Sequence, residues 1–385
     1  MMRFSLSEEQ TMLQESVDRF IQDSYSFEFR QKNIATEIGY SENIWKQFAE
    51  LGWLGAALPE AYGGIDLGPR ATMTIMEAMG KGMVSEPYLT SVVFGGSIIN
   101  QFADDSIKSS LLPLLISGQL KIALAYSEAG SRYSPDNVST TATAVNNSKT
   151  TSNQQFVING SKGMVLAGHC ADKIIVSVRT SGDRRDPYGI SLFLIDRDCR
   201  GLSFHNFQTY DGLRASEITL DNVTVGSDQL IGQLDHGLSA LEEVLDRGIA
   251  ALCAEALGCM SALFGLTLDY LKTRKQFGRT IGSFQALQYR MVDLYMALEN
   301  SRSMVVVATE SLNGDASVRR QEISAAKIQI NEACHLIGAQ GVQMHGAIAI
   351  TDELAAGHFY KRLAAIAATL GNSDYHLGRF VEKYQ

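Results

Sequence analysis

The sequence predicts an α+β fold, mainly α, in which helices precede and follow a β domain. All six prolines lie at or before Pro187, and the rest of the chain is rich in helix-forming residues, which favours long helices there. Between about 121 and 232, short apolar runs are separated by Gly, Asn, Asp and Ser, which is typical of strands. We therefore expect an N-terminal helical domain at 1–120, a middle β-barrel or sandwich at 121–232 and a C-terminal helical bundle at 233–385.

The first segment is predicted to be helical from its opening residues. Polar and acidic residues at 5–10 offer a helix cap and a first turn that suits the helix dipole. An apolar stripe follows at helical spacing: Met12, Leu13, Val17 and Phe20. This segment therefore begins with an amphipathic helix.

The middle segment is predicted to contain at least five strands that pair in an antiparallel barrel or sandwich. The runs lie at 122–126, 155–158, 173–178, 190–195 and 217–220. A polar stretch at 140–153 is expected to join two of them.

The last segment is predicted to hold long helices at about 238–274, 284–313 and 317–338. In the second of these, apolar residues recur every three or four positions, at Phe284, Leu287, Met291, Leu294 and Leu298. Asn313 and Gly314 form a helix-stop pair. The apolar stripes agree with a four-helix bundle.

Composition narrows the class of protein. The 385 residues are 45% hydrophobic and 19% charged, with 33 Lys and Arg against 42 Asp and Glu, for a net charge of −9. This balance disfavours nucleic-acid binding, which needs a basic surface. We see no run of 18 apolar residues and expect no membrane span.

Five cysteines occur at irregular spacing, without a CxxC pair or zinc-type cluster. We expect reduced thiols, a cytoplasmic protein without a signal peptide, and no metal site. The sequence also lacks a Gly-x-Ser-x-Gly elbow and a Gly-x-Gly-x-x-Gly loop after a strand, which disfavours a serine hydrolase and a nicotinamide-binding site.

Two runs in the last segment carry a resemblance to a known family: YLKTRKQFG at 270–278 and IGSFQ at 281–285. They resemble the acyl-CoA dehydrogenase family, and the order of modules is similar along nearly the whole chain. The resemblance implies that Arg274 and Phe277 reach across a subunit interface to a neighbour's FAD, which Gln285 also contacts. A guanidinium fits a pyrophosphate well. The alternative is an Arg274 that caps a helix and a Phe277 in the core.

Further segments match the family with departures. Ser127 stands where the family has a Thr near the flavin, and the run at 132–134 replaces a Gly-Ser-Asp that contacts phosphate and CoA. After the strand-turn match NGSK at 159–162, Met164 and Leu166 occupy the cofactor-facing positions, and Met164 could pack on the flavin ring.

A glycine-rich element of the family corresponds to QMHGAIA at 343–349, where two glycines have become alanine. The resemblance implies that Gln343 and Gly346 hold FAD, with Asn372 near it. Glycines there would let the backbone approach the ADP part, so the alanines would crowd it or tighten the loop.

The family removes the α-proton of a thioester with a Glu at one of two positions. The commoner one precedes a Gly-Asn step, and here that residue is Leu370, which cannot act as a base. The second precedes an Arg on a long helix, which is Asp246-Arg247 here. We predict Asp246 as the base, although its side chain is one methylene shorter, with Arg247 near the CoA or acyl thioester. The alternative is a solvated or Arg-paired acid.

The resemblance is closest to small subunits of heteromeric members, of the pimeloyl-CoA dehydrogenase and steroid side-chain types, through segments at 131–133, 245–247, 252–256 and 270–278. It implies an FAD-dependent acyl-CoA dehydrogenase subunit that makes a trans-2-enoyl-CoA and passes electrons to an electron-transfer flavoprotein. A homo- or hetero-tetramer or dimer is expected. Two alternatives are a non-catalytic subunit that completes a partner's FAD site, and a flavin oxidase on the same fold.

Overall fold

A computed structural model describes residues 6–145 and 154–382, so part of the polar stretch at 140–153 lies outside the described residues. The chain packs into two compact units. Met1–Asn33, Pro69–Val84 and Ile249–Gln385 form the first, which we call the helical unit. Ile34–Gly68 and Ser85–Gly248 form the second, which we call the sheet unit. The domain boundaries at 120 and 232 stay a prediction from the sequence.

The helical unit contains most of the long helices. Its elements are α1 (Glu8–Ser24), α2 (Phe27–Ile34), α4 (Pro69–Gly82), most of α7 (Gly237–Thr273), α8 (Gln285–Ser311), α9 (Ala316–His345), α10 (Ala355–Ala368), α11 (Ser373–Val381), and a hairpin of β9 (Lys275–Gln276) and β10 (Arg279–Thr280). The predicted helices at the chain's start and end are thus present. Ser7 and Gln10 cap α1 reciprocally, which satisfies two amides that the first turn leaves open.

Helix α9 is the centre of the helical unit, since it packs against α8, α10 and α11. Its inner face is not purely apolar. Ser324, Lys327 and Asn331 lie on it within two turns, and all three side chains are buried. Their partners, described below, are His376 on α11 for Ser324, Ile366 near the end of α10 for Lys327, and Gly371 in the turn between these helices for Asn331.

In its described residues, the sheet unit contains eight strands, three complete α-helices and the first turns of α7. The helices are α3 (Glu42–Glu50), α5 (Ser97–Phe102) and α6 (Asp105–Ile116), and a π-helical segment (Leu89–Gly96) runs directly into α5. The strands are β1 (Ile122–Ala125), β2 (Thr141–Ala144), β3 (Gln155–Leu166), β4 (Lys173–Arg179), β5 (Ile190–Asp196), β6 (Leu202–Gln208), β7 (Arg214–Gly226) and β8 (Leu230–Ile231).

The strands form one mixed sheet in the order β6-β7-β3-β2-β4-β5-β8, and β1 pairs with β4. The β1–β4 and β2–β4 pairs are parallel, so the expectation of a wholly antiparallel sheet is wrong. Alternating inward residues build its core, among them Phe156, Ile158, Val176 and Phe193. The π-helical segment packs so closely on β1 that a Cβ at Gly95 would lie 2.7 Å from the Ile122 Cβ.

Helix α7 is long and apolar enough to cross a membrane by length and composition, but 72% of its most apolar window is buried inside the protein. That burial is the pattern of a core helix in a globular fold.

Candidate active site

Asp246 lies on the part of α7 that belongs to the sheet unit, and only 2% of it is exposed. The alternative of a solvated acid is therefore wrong. Its neighbour Arg247 is held in place: a guanidinium nitrogen lies 3.1 Å from Glu243 Oε1. Oriented by its hydrogen-bond partners, the Gln101 amide donates to the same carboxylate at 2.8 Å and accepts from Arg247 at 2.7 and 2.9 Å.

The backbone next to Asp246 is fixed by close packing. A Cβ at Gly248 would lie 2.1 Å from Cε1 of Phe94, so the ring of Phe94 rests directly on the α7 backbone. Phe94 belongs to the π-helical segment, a type of helix that occurs mostly as single turns and often at functional sites. This contact fixes the position of the α7 turn that carries Asp246 and Arg247.

Ser127 and Met164 meet on one edge of the sheet unit. Ser127 follows β1, and its carbonyl oxygen accepts a hydrogen bond from the Gly163 amide at 2.9 Å. The β3–β7 register shifts between Lys162 and Val165, so β3 bulges at this point. Met164 adopts a left-handed backbone with φ 50° and is 53% exposed. The bulge thus presents an apolar side chain outward beside Ser127.

Glu128 and Lys162 form a buried ion pair directly behind these two residues, 2.7 Å apart. Burial lowers the pKa of Lys162 to about 8, although Glu128 opposes the shift. Burial raises the pKa of Glu128, but the ion pair with Lys162 and the bonds from Ser139 outweigh it and bring that pKa down to about 2. Both side chains therefore carry charge at neutral pH.

The run at 132–134, which stands in place of the family's Gly-Ser-Asp, has an unusual backbone conformation. Arg132 and Tyr133 adopt successive left-handed conformations, with φ 46° and 72°. Two residues after this loop, Asp136 O accepts a hydrogen bond at 2.7 Å from the buried Arg179, which also donates to the backbone carbonyls of Arg184, Asp186 and Tyr188. Arg132 itself is exposed.

In the helical unit, Arg274 and Phe277 lie on the β9–β10 hairpin. Phe277 and Gly278 form its two-residue turn, both with positive φ, as a type I′ turn requires. Phe277 is 89% exposed, so the alternative of a core residue is wrong. Its ring meets the edge of Phe284, with the ring centres 6.1 Å apart, and Phe284 directly precedes Gln285 at the start of α8.

A stacking contact brings the glycine element to the same region. The Arg274 amide donates to Tyr270 O at 2.8 Å, and the Tyr270 ring lies 4.6 Å from the ring of His345. His345 ends α9 and is followed by Gly346, while Gln343 is exposed on the last turn. The structure therefore brings Arg274, Phe277, Gln285, Gln343 and Gly346 into one area of the helical unit.

The turn at 370–372 is held firmly even though it lacks a carboxylate. Leu370 is buried with φ 58°, and its carbonyl accepts from His376 Nε2 at 3.0 Å. The Gly371 carbonyl accepts from Asn331 Nδ2 at 3.4 Å. Asn372 caps α11 through Oδ1, which accepts from the Tyr375 amide at 3.0 Å. Its predicted place near the flavin stays a prediction.

Taken separately, the residues of each unit offer surfaces that suit a part of FAD. Gly346 has φ 73° and ψ −152°, a conformation almost restricted to glycine, and a Cβ there would meet nothing within 4 Å, so the backbone is open to a ligand. Of the two alanines in this element, Ala349 is buried and does not crowd that surface, whereas Ala347 is exposed directly after Gly346. The exposed Arg274 offers a phosphate partner, and Met164 and Phe277 offer apolar surfaces that the described chain leaves uncovered. Residues 6–145 and 154–382 contain no cluster of His, Cys, Asp or Glu that could hold a metal ion.

Sequence models of three acyl-CoA dehydrogenase domains match the chain: the N-terminal domain over 7–119, the middle domain over 123–223 and the C-terminal domain over 235–384. The chain belongs to the acyl-CoA dehydrogenase family. It has that family's three-domain fold, and the family consists of oxidoreductases that act on CH–CH bonds and use FAD.

Individual relatives agree over nearly the whole chain. The caffeyl-CoA reductase-Etf complex subunit CarC of Acetobacterium woodii is 26% identical, over 90% of this chain and 93% of CarC. A variant of the Tcur3481-Tcur3483 steroid ACAD has a TM-score of 0.86 at 27% identity, over 98% of this chain and 97% of that one. The FAD complex of PigA has a TM-score of 0.89 at 26% identity, over 100% and 99%.

Sequence reasoning missed the importance of Glu128 and Lys162. The signal was available, since Lys162 continues the inward alternation of β3 after Phe156 and Ile158, where an apolar residue is the rule. The contact between Tyr270 and His345 carried no such signal, because it joins residues far apart in the chain.

Proposed function

We propose that this chain is a catalytic subunit of an FAD-dependent acyl-CoA dehydrogenase, which converts an acyl-CoA thioester to a trans-2-enoyl-CoA. The buried Asp246 carries the proposal, because it occupies the second of the family's two positions for the base. The fixed backbone at Gly248 and the anchored side chain of Arg247 support it, since a base has to be held within a fraction of an ångström of its proton.

In this proposal Asp246 accepts the α-proton of the thioester, and its burial keeps water away from the carboxylate. Arg247, oriented by Glu243 and Gln101, lies beside the base and binds the CoA or acyl thioester. Ser127 and Met164 would hold FAD from the sheet unit, and Arg274, Phe277, Gln285, Gln343 and Gly346 from the helical unit. FAD, when bound, supplies the acceptor for the β-hydride.

The proposal includes partners. CarC belongs to a complex with an electron-transfer flavoprotein by its name, and we assign such a protein as the electron acceptor here. Assembly with a second subunit of this fold, up to a tetramer, is supported by the outer face of α8, where four large apolar side chains are each more than half exposed: Tyr289, Val292, Tyr295 and Met296. The five free cysteines suit a reducing compartment, and we propose the cytoplasm.

A second candidate function is that of a non-catalytic subunit that completes a partner's FAD site. Leu370 at the commoner base position and the outward Phe277 favour it. The name of the Tcur3481-Tcur3483 steroid ACAD contains two designations, which is consistent with a pair of unlike chains in this structural neighbour.

The experiment that separates the two candidates is Asp246→Asn, which removes basicity at nearly constant volume. We expect anaerobic bleaching of the flavin by acyl-CoA thioesters to slow by about a thousandfold or more, since the proposed proton acceptor is lost. The measurement is stopped-flow absorbance with straight-chain, dicarboxylic and bulky acyl-CoA thioesters, on the protein with any subunit that accompanies it. Asp246→Glu should retain activity far better.

Asp269→Asn is the matched control, because Asp269 lies on the same helix but is exposed. It should bleach at the wild-type rate. If Asp246→Asn stays within a few-fold of wild type, Asp246 is not the base and the non-catalytic candidate is favoured. Oxygen uptake without an added acceptor would instead identify a flavin oxidase.

A further inference from the structure

Lys162 is a full-length cationic side chain at an inward position of the sheet, and only 1% of it is exposed. Such a group is costly to bury unless all its protons find acceptors. Its ammonium group lies 2.7 Å from Glu128 Oε1, 3.2 Å from Ser177 Oγ and 3.5 Å from Tyr126 O. The three donors thus reach three acceptors, which come from β4 and from the chain just after β1.

The carboxylate of Glu128 is equally well satisfied. Besides Lys162, its Oε1 accepts from the Thr140 amide at 3.0 Å. Its Oε2 accepts from the Ser139 amide at 2.7 Å and from the Ser139 hydroxyl. The network therefore ties together the exit of β1, the approach to β2, β3 and β4.

The outer side of this network carries the two residues assigned to FAD in the sheet unit. Ser127 directly precedes Glu128, and Met164 lies two residues after Lys162. The hydrogen bond from the Gly163 amide to Ser127 O joins the two backbone segments. A shift of either charged side chain would therefore move the Ser127 carbonyl, the β3 bulge, or both.

Stability alone does not account for a buried ion pair, because apolar residues of similar volume are often as stabilising or more so. A pair with fully satisfied partners does fix a single geometry. We propose that Glu128 and Lys162 are positioning residues, which set the relative placement of Ser127 and the Met164 bulge for the flavin. This inference rests on the proposed function.

The test is the double variant Glu128→Gln with Lys162→Met, which removes both charges while keeping side-chain length. Either single change would leave a buried charge unpaired and lose stability for that reason alone. The matched control is Lys173→Met with Asp196→Asn, which removes a partly exposed ion pair between β4 and β5 of the same sheet. All variants are the full chain, with any subunit and flavin that accompany it.

Two readouts are needed. Hydrogen exchange should quicken by about tenfold or more in peptides that cover 126–140 and 159–168, and stay unchanged in peptides that cover β5. FAD should bind about tenfold or more weakly with a shifted visible absorption band, while the control pair changes neither.

Unchanged exchange in the 126–140 and 159–168 peptides would overturn the proposal. So would faster exchange with wild-type FAD affinity and absorption, since the pair would then stabilise the sheet without positioning anything for the flavin. If the double variant behaves as wild type while wild type bleaches with acyl-CoA, this inference fails and the proposed function stands. If the wild-type protein binds no FAD in any subunit combination, the proposed function fails.

Discussion

Besides Arg132 and Tyr133, three residues at positions singled out by the family pattern adopt left-handed backbone without being glycine: Met164, Phe277 and Leu370, with φ of 50°, 54° and 58°. Each such conformation costs about 1–3 kcal/mol and persists only where surrounding structure enforces it. A β-bulge enforces it at Met164, a type I′ turn at Phe277, and buried hydrogen bonds at Leu370. At Met164 and Phe277 the strained backbone carries an exposed apolar side chain, and this combination supports a role in binding.

Buried polar side chains of α9 hold the turn at Leu370, which has no carboxylate. On α9, Lys327 Nζ donates to Ile366 O at 2.6 Å and Asn331 donates to Gly371 O, while Ser324 lies against His376. All these polar groups are buried and serve the backbone around Leu370. The sequence predicts only that Leu370 stands at the family's commoner base position; the structure adds that buried polar groups hold the backbone around it.

His376 gives this frame a pH dependence. Burial, with the nearby charges of Lys327 and Arg379, lowers its pKa to about 3, from an ordinary value of 6.5. Below pH 6.5 the unfolded chain therefore binds a proton at this histidine that the folded chain does not bind. The free energy of unfolding is thus undiminished above pH 6.5 and declines as the pH falls toward 3. At pH 5 the free energy of unfolding is lower by about 2 kcal/mol for this reason.

We predict that lowering the pH from 7 to 5 reduces the free energy of unfolding of His376→Gln by about 2 kcal/mol less than it reduces that of wild type. The glutamine keeps a donor for Leu370 O. The measurement is urea unfolding at both pH values. His335→Gln, at an exposed position of α9, should keep the wild-type difference. An equal pH difference in wild type and His376→Gln would show that His376 does not carry the effect.

At the level of elements, helices were predictable where apolar periodicity was sustained. The expected helix at 238–274 is Gly237–Thr273, but the one expected to end at 338 continues to His345. Gly338 and Gly341 both lie inside this helix. In the structure they leave room for Tyr360 and Leu263, so packing between distant segments decides their role.

Strands were predictable only where they are apolar. β6 and β2 were missed because both are largely exposed and carry no apolar run. Asn159-Gly160 suggested a turn, yet β3 runs through it with a register shift at Gly160. A Cβ there would lie 2.6 Å from Thr140 Oγ1, so the glycine reflects a close approach of two strands.

Two glycines make the contact between α4 and α7 possible in the helical unit. A Cβ at Gly80 would lie 2.0 Å from Glu255 O, and one at Gly258 would lie 1.9 Å from Glu77 O. We predict that Gly80→Ala and Gly258→Ala each lower the free energy of unfolding by about 1–3 kcal/mol, because the helices must separate. Urea unfolding measures the loss.

Gly265→Ala is the control on α7, since a Cβ there meets nothing within 4 Å. It should raise the free energy of unfolding by about 0.5–1 kcal/mol through helix propensity alone. If all three substitutions had the same effect, the close α4–α7 contact would not exist in solution.

At the scale of the whole molecule, the fold and the family could be predicted from the sequence because the motifs extend along the chain. They run from Ser127 to the 270–285 runs and the glycine element at 343–349. It could not show whether residues of one copy complete the site of another. Phe277 is an example, because its side chain is 89% exposed and residues 6–145 and 154–382 of the same chain leave it largely uncovered. A large apolar side chain so placed indicates a binding surface for another subunit or ligand.

Subunit complementation tests whether Phe277 of one copy serves the Asp246 of another. Asp246→Asn and Phe277→Ala should each abolish or strongly reduce flavin bleaching by acyl-CoA when prepared alone. Coexpressed in equal amounts, they form mixed pairs in which one site combines an intact Asp246 with an intact Phe277, so about a quarter of wild-type activity should return. A mixture of Asp246→Asn with Asp246→Ala is the control, since no pairing of these restores a base. Absence of recovery, with mixed assembly confirmed by differently tagged copies, would mean that both residues act in the same copy, and Phe277 would then have to close over its own chain's cofactor.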